Sequence, residues 1–228
     1  MTESANTASD LAPSRPGKYS QGSKTVETIL QAALHVLIEE GSGAFTLRRI
    51  AAQCDLQVGN VSRHFPRKEM LVQVLLDELL TSSEERLKRG VYETKMSPED
   101  ALALVIAGTL EDIETKRITR LITELWAMSN HNDFVAERVE ALYRYVHNLI
   151  GSFVKQLNPL LDADQVETVA LYINATMEGT TALAGFGKPW ASKMPFMKTL
   201  SVKWLITMVK TITPDELQNL RIDGRVVD

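Results

Sequence analysis

Apolar side chains recur every three or four residues through most of the sequence, and the period-two alternation of a half-buried strand is absent. Short stretches containing Gly, Pro, Asn or Asp separate the runs, which predicts about nine helices and an all-α fold. Thr213 and Pro214 open a final short turn after the last of them. The predicted helices cover approximately residues 25–40, 47–54, 58–65, 67–89, 98–114, 116–129, 132–157, 163–185 and 192–211.

The second and third runs are short and lie close together. Only Asp55, Leu56 and Gln57 separate them, which is enough for a tight turn with Leu56 packed between the helices. This arrangement is typical of a helix-turn-helix. Thr46 is suited to cap the first helix, and Pro66 to end the second, because the residue before a proline avoids the helical conformation.

The outward-facing positions of this unit carry side chains that read DNA. Arginine can fork onto guanine, Gln and Asn can pair with adenine, and short hydroxyl or lysine side chains bind phosphate. Arg48, Val58, Gly59 and Asn60 are expected to face base edges, with Val58 against a thymine methyl. The full set of expected DNA-binding residues is Thr46, Arg48, Gln57, Val58, Gly59, Asn60, Ser62, Arg63, His64 and Lys68.

Two segments, 41–51 (GSGAFTLRRIA) and 58–71 (VGNVSRHFPRKEML), resemble the N-terminal domain of the TetR/AcrR family of transcriptional regulators. The resemblance covers about residues 24–76. Three positions depart from the family pattern: Asp55 replaces a Gly, Gln57 a capping Ser, and Ser62 the commonest residue, a phosphate-contacting Tyr. In having Ser at position 62, the chain resembles the choline-responsive branch of the family, which the betaine regulator typifies.

The resemblance implies a division of labour along the chain. A disordered tail (1–20) precedes the DNA-binding domain (21–68) and a helical effector-binding and dimerisation domain (69–228). Helix four would act as the lever between the domains. A single reading head recognises too few base pairs, so such regulators bind DNA as dimers. The resemblance implies that the helices at about 163–185 and 192–211 pair with those of a second copy.

Charge is distributed unevenly. The chain has a formal net charge of −4, yet residues 15–68 carry eight Lys and Arg against four Asp and Glu. The proposed reading head is therefore the basic part of an acidic molecule, which favours contact with phosphates through that face.

Composition also limits the cellular compartment and the kinds of catalytic or metal site that we expect. One cysteine permits no intramolecular disulfide, and neither a signal peptide nor a membrane-length apolar run is present, so we expect a cytoplasmic protein without membrane association. The four histidines lack metal-ligand spacing, no phosphate-binding loop occurs, and Cys54 has no evident catalytic partner. We predict neither an enzyme nor a cofactor or metal site.

The C-terminal domain is expected to enclose a small-molecule effector of unknown identity. Candidate pocket residues combine apolar bulk with a few polar groups: Glu124, Trp126, Met128, Tyr143, His147, Asn174, Met177, Glu178 and Phe186. Glu124 and Glu178 suggest a cationic ligand, with Trp126 and Tyr143 as aromatic partners.

The predicted function is a ligand-responsive repressor that binds a palindromic double-stranded DNA operator as a homodimer and is released by its effector. The alternative is a ligand-independent DNA-binding or protein-interaction factor on the same scaffold. Ligand-induced stabilisation would separate the two, because only a sensor is stabilised by a small molecule.

Overall fold

The computed structural model describes residues 21–87, 90, 96–219, 221–222 and 225–226. The predicted tail (1–20) and the predicted end of helix four near residue 89 lie outside these ranges. Within them the chain is almost entirely helical, with one antiparallel pair of two-residue strands, β1 (Arg221–Ile222) and β2 (Arg225–Val226), near the C-terminus. The all-α prediction is confirmed.

The first three helices form the predicted compact unit. They are α1 (Gln21–Glu40), α2 (Leu47–Gln53) and α3 (Val58–His64). Helix α1 begins about four residues before the predicted start, and a 3₁₀ turn at Ser42–Ala44 leads into α2. Phe45, Ile50 and Val61 are fully buried where the three helices meet.

Side-chain caps account for where most later helices begin. The hydroxyl of Ser97 accepts from the backbone of Asp100 at 3.1 Å, and the side chain of Asn132 accepts from Val135 at 3.1 Å. A capping box joins Asp162 to Gln165. The remaining helices are α4 (Lys68–Leu87), α5 (Pro98–Glu114), α6 (Lys116–Ser129), α7 (Asp133–Leu157), α8 (Ala163–Ala184), α9 (Met194–Thr211) and α10 (Pro214–Gln218).

Two hydrophobic clusters organise the packing of these helices. The first joins α1–α3 to α4, to α6 and to the N-terminal half of α7, and includes Leu71, Leu125 and Leu142. The second joins α5, the C-terminal half of α7, α8 and α9, and includes Ile106 and Ile173. Helix α7 therefore spans both clusters, and its middle lies where they adjoin.

Candidate DNA-binding and effector sites

The predicted DNA-binding residues lie on the accessible side of the helix-turn-helix. Thr46, Arg48, Arg63 and the run 57–60 are exposed, and Ser62, His64 and Lys68 are partly exposed. Val58 leaves 41% of its surface open to solvent, although it is a large apolar residue. Nothing lies within 4 Å of where a side chain at Gly59 would begin, so the start of α3 is open to close approach.

The turn between α2 and α3 explains two departures from the family pattern. Asp55 has a φ of +53°, in the left-handed region where glycine is the least strained residue and where Asp and Asn are tolerated better than most. Gln57 precedes α3 without a side-chain capping bond, so the first amides of α3 lack the cap that a serine would provide.

The two adjacent arginines of α2 have different surroundings. Arg49 forms a bidentate pair with Glu40, with Nε to Oε2 at 2.8 Å and Nη2 to Oε1 at 2.6 Å. Its guanidinium is thus committed to holding α2 against the end of α1. Arg48 is exposed, which supports Arg48 rather than Arg49 as the base-reading arginine.

Three of the predicted effector residues form a hydrogen-bonded chain across the middle of the C-terminal domain. Nε1 of Trp126 on α6 donates to the hydroxyl of Tyr143 on α7 at 2.7 Å. That hydroxyl in turn donates to Oε2 of Glu178 on α8 at 3.3 Å. The chain links three helices at the point where the two hydrophobic clusters adjoin.

The electrostatic state of this chain is set by burial. Burial raises the pKa of Glu178 to about 6, and the hydrogen bond from Tyr143 only partly offsets that rise. Burial and then the charge of Glu178 raise the pKa of Tyr143 above its usual value. Among the described residues, no lysine or arginine forms an ion pair with Glu178. At neutral pH the site therefore holds a partly buried negative charge for which the described residues provide no ion-pair partner.

The antiparallel register of α7 and α8 brings two further candidates beside it. Tyr143 contacts Glu178, and a side chain at Gly151 would meet Cβ of Ala170 at 3.9 Å. Halfway between these points, His147 is level with Asn174. Among the predicted effector residues, hydrogen bonds join Trp126, Tyr143 and Glu178.

Two buried polar atoms on α8 flank Glu178 on the same helix face. Oδ1 of Asn174 and Oγ1 of Thr181 form no hydrogen bond within the part of the chain that the structure describes. Asn174 is only 6% exposed and Thr181 is fully buried. Such atoms are costly to bury unless something satisfies them. Thr181 was missed by the sequence analysis, because a helical threonine carries no functional signal by itself.

Glu124 is a correction to the predicted effector site. Its carboxylate accepts the backbone N–H of Ser42 at 2.7 Å, so it faces the DNA-binding domain rather than Glu178. Helical geometry explains the error: Glu124 and Trp126 are two residues apart and therefore point to different sides of α6.

Three other predicted pocket residues have other surroundings. Met128 packs against the first hydrophobic cluster, and Met177 is fully buried within the second. Phe186 is 45% exposed just beyond α8, with its backbone N–H donating to the hydroxyl of Thr119 at 2.9 Å. These residues do not belong to the hydrogen-bonded chain around Glu178.

Helices α8 and α9 and the connection between them carry several exposed large apolar side chains, which we call the exposed apolar face. Their exposed fractions lie between 45% and 70%. The small residues Ala175, Gly179 and Ala182 of α8 are also exposed, whereas Thr180 is buried and donates to the carbonyl of Met177. The members of the exposed apolar face are Leu171, Tyr172, Leu183, Phe186, Trp190, Phe196, Leu200 and Trp204.

Among the described residues, no three His, Cys, Asp or Glu side chains are grouped so that they could hold a metal ion. The described helices include none with the length and apolarity needed to cross a membrane. A shallow groove of about 560 Å³ on α7, lined by Glu137, Glu140, Arg144 and their neighbours, includes none of the predicted effector residues.

Comparison with known proteins matches both halves of the chain. Residues 29–75 match the model of bacterial regulatory proteins of the tetR family, and residues 98–193 match the C-terminal domain of BetI-type transcriptional repressors. An uncharacterized HTH-type transcriptional regulator in the dhlA 5′ region of Xanthobacter autotrophicus is 27% identical over 66% of this chain and 74% of its own length. The HTH-type transcriptional regulator BetI of Burkholderia cenocepacia is 25% identical over 69% of this chain and 81% of its own.

Solved structures share the fold. A putative transcriptional regulator from Saccharomonospora viridis, crystallised in complex with choline, superimposes with a TM-score of 0.68 at 15% identity. The match covers 83% of this chain and 97% of that one. The three-helix unit and the helical domain behind it are therefore arranged as in a structurally characterised regulator.

Proposed function

The chain belongs to the TetR family of bacterial transcriptional regulators, with a C-terminal domain of the BetI repressor type, and from that premise we propose its operator contacts, its dimer surface and its effector class. It is a regulator and not an enzyme. The proposal is a homodimer that holds a palindromic operator and releases it when a small organic cation binds between α6, α7 and α8.

The DNA contacts divide into base reading and phosphate binding. Arg48, Val58, Gly59 and Asn60 meet base edges in the major groove, and Gln57 at the start of α3 lies beside them. The exposure of Val58 supports this role, because a 41% exposed valine at the tip of a reading helix is suited to a thymine methyl. The phosphate-binding set is Thr46, Ser62, Arg63, His64 and Lys68.

The exposed apolar face is the proposed dimer surface. Eight exposed large apolar side chains on this pair of helices and their connection support an interaction surface, because water-exposed apolar patches are typical of such surfaces. Pairing α8 and α9 with their copies would bury this face on both protomers at once, as a twofold interface requires. The exposed small residues Ala175, Gly179 and Ala182 of α8 permit the helices to approach closely.

The effector class rests on one observation, the partly buried carboxylate of Glu178, which has no ion-pair partner among the residues that the structure describes. A cation entering beside it would supply the missing counterion, and the rings of Trp126 and Tyr143 could face its positive charge. A hydroxyl or N–H group on the same ligand would satisfy Oδ1 of Asn174. The choline bound by the structurally similar regulator from S. viridis agrees with this chemistry.

Release follows if the ligand binds one arrangement of the dimer more tightly than the other. The ligand would insert between α6 and α8 and break the bond from Tyr143 to Glu178. Only this difference in affinity can move the two reading heads apart and weaken operator binding.

The effector class can be tested with matched ligands. Choline and ethanolamine are cations, and 3,3-dimethylbutan-1-ol has the shape of choline without its charge. The cations are expected to raise the melting temperature of the wild-type protein and the neutral analogue is not, because a ligand present at 100 times its Kd stabilises the native state by about 2.7 kcal/mol.

A control variant tests whether the stabilisation by cations depends on Glu178 specifically or on any acidic side chain. Glu178→Gln should abolish the effect of both cations, whereas Glu140→Gln, on the exposed side of α7, should leave it unchanged. Equal stabilisation by choline and its neutral analogue would refute the cation assignment. No stabilisation by any small molecule, with operator binding intact, would favour the ligand-independent alternative.

A further inference from the structure

Three polar residues of α6 reach the same short segment of the DNA-binding domain. Lys116, Arg120 and Glu124 are spaced by four residues, so they form one row along the helix. Their partners are Ile38, Glu39 and Ser42, where α1 ends and the 3₁₀ turn begins. We call these six residues and their bonds the polar latch.

Glu124 makes the central bond of the polar latch. Its Oε2 accepts the N–H of Ser42 at 2.7 Å, and that N–H opens a helical turn, where backbone amides lack partners and a negative charge is favoured. Gly41 makes the approach possible. Its φ is +82°, and a side chain there would begin 3.1 Å from Oε1 of Glu124.

The two basic residues of the polar latch, Arg120 and Lys116, bind the end of α1. Nη1 of Arg120 donates to the carbonyl of Ile38 at 3.1 Å, one of the last carbonyls of α1 and at its negative end. Nζ of Lys116 lies 2.5 Å from Oε2 of Glu39. That hydrogen bond, with the nearby charge of Arg120, holds the pKa of Glu39 below its usual value.

The segment held by the polar latch is tied directly to the reading head. Glu40, next to Glu39, forms the bidentate pair with Arg49 of α2. Hydrogen bonds of 2.6–2.8 Å therefore connect α6 to the end of α1, and the end of α1 to the first helix of the helix-turn-helix.

The other sides of α6 face the effector-binding domain. Trp126, two residues after Glu124, begins the chain to Tyr143 and Glu178. Near the start of α6, the hydroxyl of Thr119 accepts the N–H of Phe186, which belongs to the exposed apolar face. One helix thus contacts the proposed effector site, the proposed dimer surface and the DNA-binding domain.

We infer that the polar latch on α6 sets the orientation of the reading head and transmits effector binding to it, with Glu124 as its principal positioning residue. This inference rests on the proposed function, because it specifies how the same effector site is coupled to DNA. It adds a second connection to the lever helix α4, which packs on the head through apolar side chains such as Leu71.

The test uses Glu124→Ala, Glu124→Gln and, as a charge-matched control, Glu140→Ala. The DNA probe is the duplex that the wild-type protein selects from a random library. Glu124→Ala should weaken binding of that duplex about tenfold, because freely oriented heads have a lower effective concentration at the second half-site. Affinity for a scrambled duplex should not change, and the amide of Ser42 should exchange with solvent faster.

The second readout is the coupling itself. With choline chloride as the probe, the ratio of operator Kd values with and without ligand should fall in Glu124→Ala from the usual range of about 5–150-fold to below about 2-fold. The choline affinity of the DNA-free protein should stay near that of the wild type. Glu124→Gln, which can still accept the N–H of Ser42, should retain most of the coupling.

The outcomes separate the two proposals. Glu124→Ala that selects, binds and releases its operator like the wild type would overturn the polar latch and leave the proposed function intact. A wild-type protein that selects no duplex would overturn the proposed function instead. If choline does not bind the wild type, the ligand-free comparison of operator affinity still decides for or against the latch.

Discussion

Glu178→Gln should stabilise the protein at neutral pH, although it removes a residue of the proposed effector site. Gln has nearly the same shape and can still accept the hydroxyl hydrogen of Tyr143, so the main change is the loss of a buried charge. The substitution therefore isolates the cost of keeping Glu178 ionised in the absence of a ligand.

The size of the effect follows from the pKa. Burial raises the pKa of Glu178 from 4.5 to about 6. Each pKa unit corresponds to about 1.36 kcal/mol, so ionised Glu178 destabilises the native state by about 2 kcal/mol. Because the folded chain holds this proton more tightly than the unfolded chain, the penalty is absent below about pH 4.5, grows as the pH rises to about 6, and is complete above it.

Chemical denaturation of the wild type and of Glu178→Gln measures the difference. At pH 7.5 and a fixed protomer concentration, the variant should be more stable by about 2 kcal/mol, or roughly 4–8 °C in Tm. The gap should close as the pH approaches 4.5, and Glu140→Gln should show no such gap. A gap that stayed constant or widened on acidification would refute the assignment of a buried, unpaired Glu178.

Further predictions concern the DNA surface, the dimer and the core. Arg48→Ala should weaken binding of the selected operator by about 1–3 kcal/mol and relax discrimination at one base pair, whereas Lys68→Ala should weaken binding of all duplexes alike and flatten its salt dependence. Identical behaviour of the two variants on matched and scrambled duplexes would contradict these roles. Trp204 is 57% exposed in the single chain, so Trp204→Glu would place a charge in the apolar interface and should convert the dimer to monomers in sedimentation experiments. An unchanged dimer would exclude this surface. Asn158→Ala should destabilise the fold by about 2–4 kcal/mol in denaturant titrations, because the buried Nδ2 of Asn158 donates to the carbonyls of Val209 and Ile212 at 2.9 and 2.8 Å. A change under about 0.5 kcal/mol would show that these carbonyls find other partners.

Local sequence signals predicted the helices well. A cap or a helix-stopping residue depends on its immediate neighbours, and the structure shows such local caps at the start of α5, with Ser97 before Pro98, and of α8, with Asp162 and Gln165. The start of α1 was predicted less well, because the residues before Thr25 carry no apolar repeat that marks a boundary.

The helix-turn-helix was recognisable for the same reason. Its two helices and turn lie within one short segment, so the spacing of apolar residues located both helices, whereas only the structure shows that Val61 is buried and Val58 is exposed. Even the unusual residue of the turn, Asp55, could be located from sequence, although its left-handed backbone was visible only in the structure.

The effector site shows where sequence reasoning fails. Tyr143 and Glu178 were both selected, but their contact depends on the register of α7 against α8, which is set by packing between residues 35 positions apart. Glu124 was misjudged because periodicity assigns a residue to a side of its helix without saying which neighbour occupies that side.

The sequence by itself determined the helices, the reading head and the regulator family, because each of these is encoded by residues close together along the chain. Only the tertiary structure decided that α6 lies between Ser42 and Glu178, that Glu124 binds the DNA-binding domain, and that Glu178 is partly buried with no ion-pair partner among the described residues. These properties arise from contacts between distant segments, and such contacts exist only once the hydrophobic clusters have fixed how the helices pack.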